Sequence, residues 1–305
     1  MLRLGTRGSR LALAQTELVK AALKKIYPQV RTETVVIKTS GDKIPDAALW
    51  TVGDKGLFTK EIDQALLEGG IDTAVHSLKD MPAQMEEGLT IAAVLKREDP
   101  RDVIISHKGF TWNTLPLEAK IGTSSLRRRA QLKYKRPDLR IENLRGNVET
   151  RIRKMQEEDF DAIILACAGV RRLDMNSLVT DYLSIEVMMP AVGQGAIALQ
   201  ARAGEKETQQ LLAALNDAPS YWAVTAERSF LKELQGGCQA PIGALAQVER
   251  EFLTINGLIL GLEGDRGCKA GLSGPFASAE QLGRKLAQQL LLEGGNEILE
   301  SIRER

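Results

Sequence analysis

Positive charge is gathered into one stretch of this chain. Residues 120–172 hold 14 Lys/Arg and 7 Asp/Glu, a net of +7, while the whole chain carries only +1, so the remainder sums to −6. Within the stretch, Arg127 and Arg128 follow Gly122-Thr123-Ser124-Ser125, a run of N-cap residues that opens a helix. Cations in a first helical turn oppose the macrodipole and cost stability. Beside hydroxyls and helix-start amides, however, guanidinium groups make a site for an anion. Arg7 in Thr6-Arg7-Gly8-Ser9 and Arg145 in Leu144-Arg145-Gly146-Asn147 repeat the theme, each just after a strand-like run. A run such as Lys133-Tyr134-Lys135-Arg136 reads more simply as a solvated helix face.

Two further places could carry chemistry. His76-Ser77-Leu78-Lys79-Asp80 brings an acid, a base and a hydroxyl to the end of a predicted strand, a plausible catalytic loop. From the residues alone, Asp80 serves equally as a loop cap and His76 as a packed strand residue. Cys238 lies in Gly236-Gly237-Cys238-Gln239-Ala240-Pro241, an open turn after a helix. A helix C-terminus raises a thiol's pKa, so this sulfur suits stable covalent attachment better than thiolate catalysis; a loop cysteine of no consequence is the alternative. Cys167 follows an apolar strand and is expected to be buried.

Composition removes several classes. Three cysteines and the two histidines His76 and His107 lack the spacing of a zinc site, and no metal is expected. The sparse, odd cysteine count fits a reducing compartment. No export-type apolar segment and no run of 18 apolar residues occurs, so a soluble cytoplasmic protein without a membrane partner is expected. Neutral total charge and 4% aromatic residues argue against nucleic acid. Neither a Walker loop nor G-x-G-x-x-G is present, and Gly193-Gln194-Gly195 alone is a weak nucleotide signal.

The elements that must position these residues alternate in type. Leu2-Arg3-Leu4 reads as a strand, and Leu11, Ala14, Leu18 and Ala21 predict the buried stripe of the following helix. Val35 to Ile37 is a strand. Phe58, Ile62 and Ala65 mark a helix stopped by Gly69-Gly70, and Ile71 to His76 is a strand again. After Pro100 the pattern restarts with Val103 to Ile105 and Ile121, then Gly122-Thr123-Ser124-Ser125 offers N-cap residues for a helix running towards Tyr134 and ended before Pro137. Arg140 to Leu144, a helix carrying Val148, Ile152 and Met155, and the strand Ala162 to Ala166 form a β-α-β unit. Such alternation predicts parallel or mixed sheets flanked by helices, with ligands at the strands' carboxyl ends. The last third differs: a helix with Trp222, Ala226 and Phe230 on one face, a hairpin of Ile242–Val248 and Phe252–Leu260, and a final helix from Ser278 with Gln281 completing a capping box. That is a small α+β domain of about 85–90 residues.

Several motifs together resemble one family. They are Gly56-Leu57-Phe58, Ala74 to Asp80, Arg97-Glu98-Asp99-Pro100-Arg101-Asp102, Gly122 to Arg128, Leu144 to Val148, Leu165 to Gly169, Pro190 to Ala196 and Gly236 to Gly243. In this order they are similar to the porphobilinogen deaminases (hydroxymethylbilane synthases) of tetrapyrrole biosynthesis. The resemblance implies an α/β fold of two periplasmic-binding-protein-like α/β lobes plus a small C-terminal α+β domain. It divides the chain into residues 1–96 with 194–216, residues 97–193, and residues 217–305. It implies a transferase that joins four porphobilinogen molecules head to tail into hydroxymethylbilane, releasing ammonia, on a dipyrromethane cofactor thioether-linked to Cys238. A monomer is expected.

Each pyrrole of that product carries an acetate and a propionate. Primer plus four units therefore brings about twelve negative charges to one cleft, a load suited to guanidinium partners. By the same resemblance Arg7, Arg127, Arg128, Arg145, Arg151 and Arg172 bind carboxylates, and Ser9, Lys55, Ser77, Lys79, Thr123, Ser124, Ser125 and Gln194 are further contacts. Phe58 packs on a pyrrole ring. Asp80 is the catalytic residue, its carboxylate stabilising the positive charge that develops as a pyrrole loses its amine. The chain departs from the pattern at Thr51, a lysine in some members, and at Arg10, a proline in some. The competing reading is a non-catalytic bilobal module that binds an anionic small ligand.

Overall fold

The computed structural model describes residues 1–42, 58–235 and 240–304. Strand β1 (Leu2–Thr6) leads into α1 (Arg10–Ile26), β2 (Thr32–Val36), α2 (Lys60–Leu67), β3 (Thr73–Ser77) and β4 (Leu89–Val94). Next come β5 (Asp102–Ile105), β6 (Lys120–Gly122), α3 (Leu126–Lys135), β7 (Arg140–Glu142), α4 (Val148–Glu157), β8 (Ala162–Ala166), α5 (Cys167–Arg172) and β9 (Val179–Tyr182). They are followed by β10 (Ile197–Arg202), α6 (Lys206–Ala213), α7 (Ala218–Glu233), β11 (Ile242–Glu249), β12 (Phe252–Leu260), β13 (Gly267–Pro275), α8 (Ala279–Leu290) and α9 (Asn296–Arg303). Two compact units result: Met1–Glu98 with Gly195–Tyr221, and Asp99–Gln194 with Trp222–Arg305.

The first unit is built on a five-stranded sheet in the order β2-β1-β3-β10-β4. β1 runs parallel to β2 and β3, whereas β10 is antiparallel to both its neighbours, β3 and β4. Leu4, Val19, Leu23, Val75 and Leu199 belong to fully or nearly fully buried clusters around it. The helical stripe of α1 needs correction. Gln15, Thr16, Val19 and Leu23 are its buried residues, while Leu18 is 48% exposed. Polar side chains can occupy that face because each has an acceptor or donor: Thr16 Oγ1 donates to the Ala12 carbonyl at 3.0 Å, and Gln15 pairs with Ser77. β4 and β10 have no counterpart in the sequence reading. Gly69, at φ +73°, ends α2 in the left-handed conformation that glycine favours.

The second unit contains two sheets. One has the order β7-β6-β8-β5-β9, with β6 parallel to β7 and β8, and β5 antiparallel to β8 and β9. Two apolar clusters accompany it, one containing Ile104, Ile121 and Leu132, the other Ile163, Phe160 and Cys167. The other sheet is the antiparallel meander β11-β12-β13, covered by α7 and α8 through Phe230, Ile255, Leu286 and Leu290. The expected hairpin is present, but the third strand, rich in glycine, was not anticipated. The capping box is absent. Ser278 precedes α8 at φ −97° and ψ 18°, within a short 3-10 turn, and makes no side-chain cap bond; the extended backbone that aims a cap at the helix is missing.

Two α/β lobes and a C-terminal sheet-and-helix region are thus present, as expected. No described helix is long and apolar enough to cross a membrane.

Candidate active site

In both lobes the carboxyl ends of the parallel strands gather the polar residues. In the first unit, Arg7 follows β1 and Ser77–Asp80 ends β3 and turns through a short 3-10 segment. Ser9 caps α1, its Oγ accepting from the Ala12 amide at 3.3 Å. Arg7, Ser9, Gln15, Phe58, Ser77 and Asp80 line one cleft. The Arg7 guanidinium lies 4.2 Å from the centre of the Phe58 ring, within cation–π range. Gln15 Nε2 donates to Ser77 Oγ at 2.8 Å, fixing the hydroxyl three residues before Asp80. Asp80 is exposed and Lys79 half-buried.

His76 lies behind this cleft. Its Nε2 is 3.0 Å from Gln200 Oε1 on the neighbouring strand β10. An amide oxygen only accepts, so the ring nitrogen donates. Burial, reinforced by nearby Arg7 and opposed by the Gln200 bond, lowers its pKa to about 4. The imidazole is therefore neutral near pH 7, and of the two sequence readings the packed strand residue is the one its surroundings favour.

In the second unit Thr123 follows β6, Arg145 follows β7, and Arg172 ends the short helix after β8. The Ser125 amide donates to Thr123 Oγ1 at 3.2 Å, and Ser125 Oγ caps α3 by accepting from the Arg128 amide; Ser124 beside them is half-buried. Arg145 and Arg172 are also half-buried. Gly146, at φ +120°, turns the loop between Arg145 and α4. A Cβ there would stand 2.6 Å from Thr150, so only glycine fits, and Arg151 Nε donates to the Gly146 carbonyl at 2.8 Å.

Arg127 and Arg128 are buried at 6% and 5% exposure. Both contact Asp102, which the sequence reading quoted within a family motif but gave no role. Arg127 Nη2 donates to Asp102 Oδ2 at 2.8 Å and Arg128 Nη2 to Oδ1 at 2.7 Å. Gln194 Nε2 adds a bond to Oδ1 at 3.0 Å and another to the Pro100 carbonyl at 2.7 Å. Burial alone would raise the Asp102 carboxyl; the two guanidiniums more than reverse this and lower it to about 2. Burial lowers Arg127, with Asp102 opposing. This carboxylate is what lets two arginines occupy a first helical turn. The available signal was faint: an acid opening a strand otherwise made of Val103, Ile104 and Ile105.

Glu227 of α7 is a second unanticipated anchor. Fully buried, it accepts from the Gly193 amide at 2.7 Å and the Ala246 amide at 2.8 Å. Thr51, Lys55 and Cys238 lie outside the described residues. Among the described residues no group of three or more His, Cys, Asp or Glu could hold a metal ion.

The fold is that of two α/β units whose strand ends present cations and hydroxyls, joined in the first unit by the exposed carboxylate of Asp80. Residues 2–210 match the family profile described as porphobilinogen deaminase, dipyromethane cofactor binding domain, and residues 221–292 match the porphobilinogen deaminase C-terminal domain. Over 298 residues the chain is 54% identical to a porphobilinogen deaminase of Syntrophomonas wolfei, covering 98% of this chain and 97% of that one. It is 49% identical over 301 residues to that of Syntrophotalea carbinolica, covering 99% and 96%. A solved substrate-binding domain of a putative molybdenum ABC transporter from Clostridium difficile shares 10% identity at a TM-score of 0.43, covering 71% of this chain and 92% of that one, too distant to bear on the site. The chain belongs to the porphobilinogen deaminase family.

Proposed function

We propose that this chain is a transferase of tetrapyrrole biosynthesis that joins four porphobilinogen molecules head to tail into hydroxymethylbilane, releasing one ammonia at each joining. The observation that carries this reading is the first-unit cleft, where Arg7, Phe58 and Asp80 come together. A cation for a carboxylate, an aromatic face for a ring and a carboxylate for pyrrole N–H groups are what a carboxylated pyrrole needs. The donor set of the second unit fits more of the same chemistry: Thr123, Ser124, Ser125, Arg127, Arg128, Arg145, Arg151 and Arg172 gather at one sheet edge, with Gln194 holding Asp102 there.

A dipyrromethane bound through Cys238 would supply the nucleophilic pyrrole carbon to which the first unit is joined. The chain's own residues do the rest. Arg7, Arg145, Arg151 and Arg172 hold acetate and propionate groups, with Ser9, Lys55, Ser77 and Lys79 as further donors. Phe58 supports the ring. As the C–N bond of the aminomethyl group breaks, positive charge spreads over the substrate pyrrole, and the Asp80 carboxylate stabilises it. The same carboxylate helps carry the proton lost when the new carbon–carbon bond forms. We further propose that the chain acts as a cytoplasmic monomer, without nucleic-acid or membrane partners, and is organised as residues 1–96 with 194–216, 97–193 and 217–305.

Intact-protein mass spectrometry with peptide mapping around Cys238 tests the reading. A mass excess of two linked pyrroles, lost in Cys238→Ser, is expected. A chain that stays unmodified after incubation with porphobilinogen would remove the enzyme and leave a bilobal anion-binding module.

A further inference from the structure

Two buried guanidiniums share one buried carboxylate. Asp102 is wholly enclosed, and no other acid contacts Arg127 or Arg128 among the described residues. Each arginine is also tied to the backbone: Arg127 Nη1 donates to the Met189 carbonyl at 2.6 Å and Arg128 Nη1 to the Ile164 carbonyl at 2.9 Å. Arg128 Nε adds a second bond to Asp102 Oδ1 at 3.2 Å. A guanidinium has five N–H groups in a fixed plane. These bonds use two of Arg127's and three of Arg128's, so both planes are set by protein contacts before any ligand arrives. Asp102 itself is held, pairing across the sheet with Ala166 and bonded by Gln194. It thus sits at the sheet edge where Thr123, Arg145 and Arg172 stand.

We infer that Asp102 is a positioning residue for the reaction: it locks the forks of Arg127 and Arg128 into one orientation and cuts their combined charge from +2 to +1, so that this cluster receives one ligand carboxylate, not two. The inference rests on the tetrapyrrole-building reading of the site. Arginine side chains lose considerable rotamer freedom when a ligand orders them; here Asp102 and two carbonyls have already imposed that order. A net charge of one is neutralised by a single carboxylate, which leaves the other acidic groups of a growing chain to Arg7, Arg145, Arg151 and Arg172.

Asp102→Asn keeps the shape and removes the charge. Per folded, pyrrole-loaded molecule, kcat is expected to fall at least fivefold while KM for porphobilinogen moves less than threefold. A smaller loss of kcat, or a loss expressed in KM alone, overturns the inference whatever the change in Tm. A second readout does not depend on turnover: in ¹⁵N NMR of arginine side chains, the Arg127 and Arg128 guanidiniums should rotate slowly in the unaltered chain and quickly in Asp102→Asn. Fast rotation in both, or slow rotation in both, refutes the positioning role. Should Asp102→Asn fail to accumulate, Gln194→Met keeps every charge and removes one bond to Asp102. It should lower kcat at least twofold at constant KM, and an unchanged kcat overturns the inference. A wild-type chain that gains no pyrrole from porphobilinogen sinks the reaction, while the NMR comparison still judges Asp102.

Discussion

Glu227 offers the sharpest perturbation of the scaffold. Its two oxygens accept the Gly193 and Ala246 amides from within a fully buried setting. Replacing it by alanine strands both N–H groups without water, at about 1–3 kcal/mol each. The expected loss is therefore about 4 kcal/mol, a large part of the roughly 5–15 kcal/mol that holds a domain folded. Glu227→Gln keeps one acceptor and turns an NH₂ towards a peptide N–H, which predicts about 2–3 kcal/mol. Urea unfolding followed by far-UV circular dichroism measures both, with the slope m expected to stay constant. Function should suffer as well, because Gly193 neighbours Gln194, which bonds Asp102, and α7 ends five residues before Cys238. A Glu227→Gln variant less than 1 kcal/mol from wild type would show that these two bonds do not anchor the segment.

Three other outcomes are expected. Asp80→Glu should retain the pyrrole mass at Cys238 yet lose at least tenfold in turnover; near-normal turnover would refute the role of the carboxylate. His76 has a folded-state pKa of about 4, below the ordinary 6.5, so its contribution is present above pH 6.5 and disappears as pH falls through that window. The 2.5-unit gap corresponds to at most about 3 kcal/mol, and an NMR titration showing His76 protonated at pH 6 would contradict it. In Gly283→Ala the new Cβ would collide with the Ala226 carbonyl oxygen, forcing α7 and α8 apart at about 1–3 kcal/mol; thermal unfolding within 1 °C of wild type would show that the helices yield without cost.

Local signals carried much of this architecture. The capping run that ends at Ser125, the stop at Gly69 and the β11–β12 hairpin are consequences of neighbouring residues, and each was legible; the cap at Ser9 was not read from the sequence. What failed depended on distant partners. The face of α1 turned on Gln15, which is polar yet buried because Ser77, 62 positions away, completes its bonds. Asp102 could not be recognised as the counter-charge to Arg127 and Arg128 until β5 stood beside β8. β13 was hidden because glycines and a lysine give no alternating pattern; its pairing along the whole of β12 specifies it instead. The basic stretch itself was plain, but composition could not say that Arg127 and Arg128 are bonded to Asp102 and to backbone carbonyls.

The place of β10 in the first sheet has a consequence for how the chain is made. Among the described residues β4 pairs with no strand but β10, and β3 has β10 along one whole edge. On the ribosome, residues 1–98 therefore emerge as a sheet with its fourth position empty, while the β7-β6-β8-β5-β9 sheet, drawn wholly from residues 102–182, can close first. Domains of larger proteins tend to fold as units in the order of synthesis; here the lobe begun first is finished second. Ile197 pairs opposite Ser77, so the turn bearing Asp80 gains its flanking strand only when that late segment arrives. A nascent chain halted before residue 197 should thus present an unpaired edge on β3, a natural handle for chaperones and a hazard for aggregation.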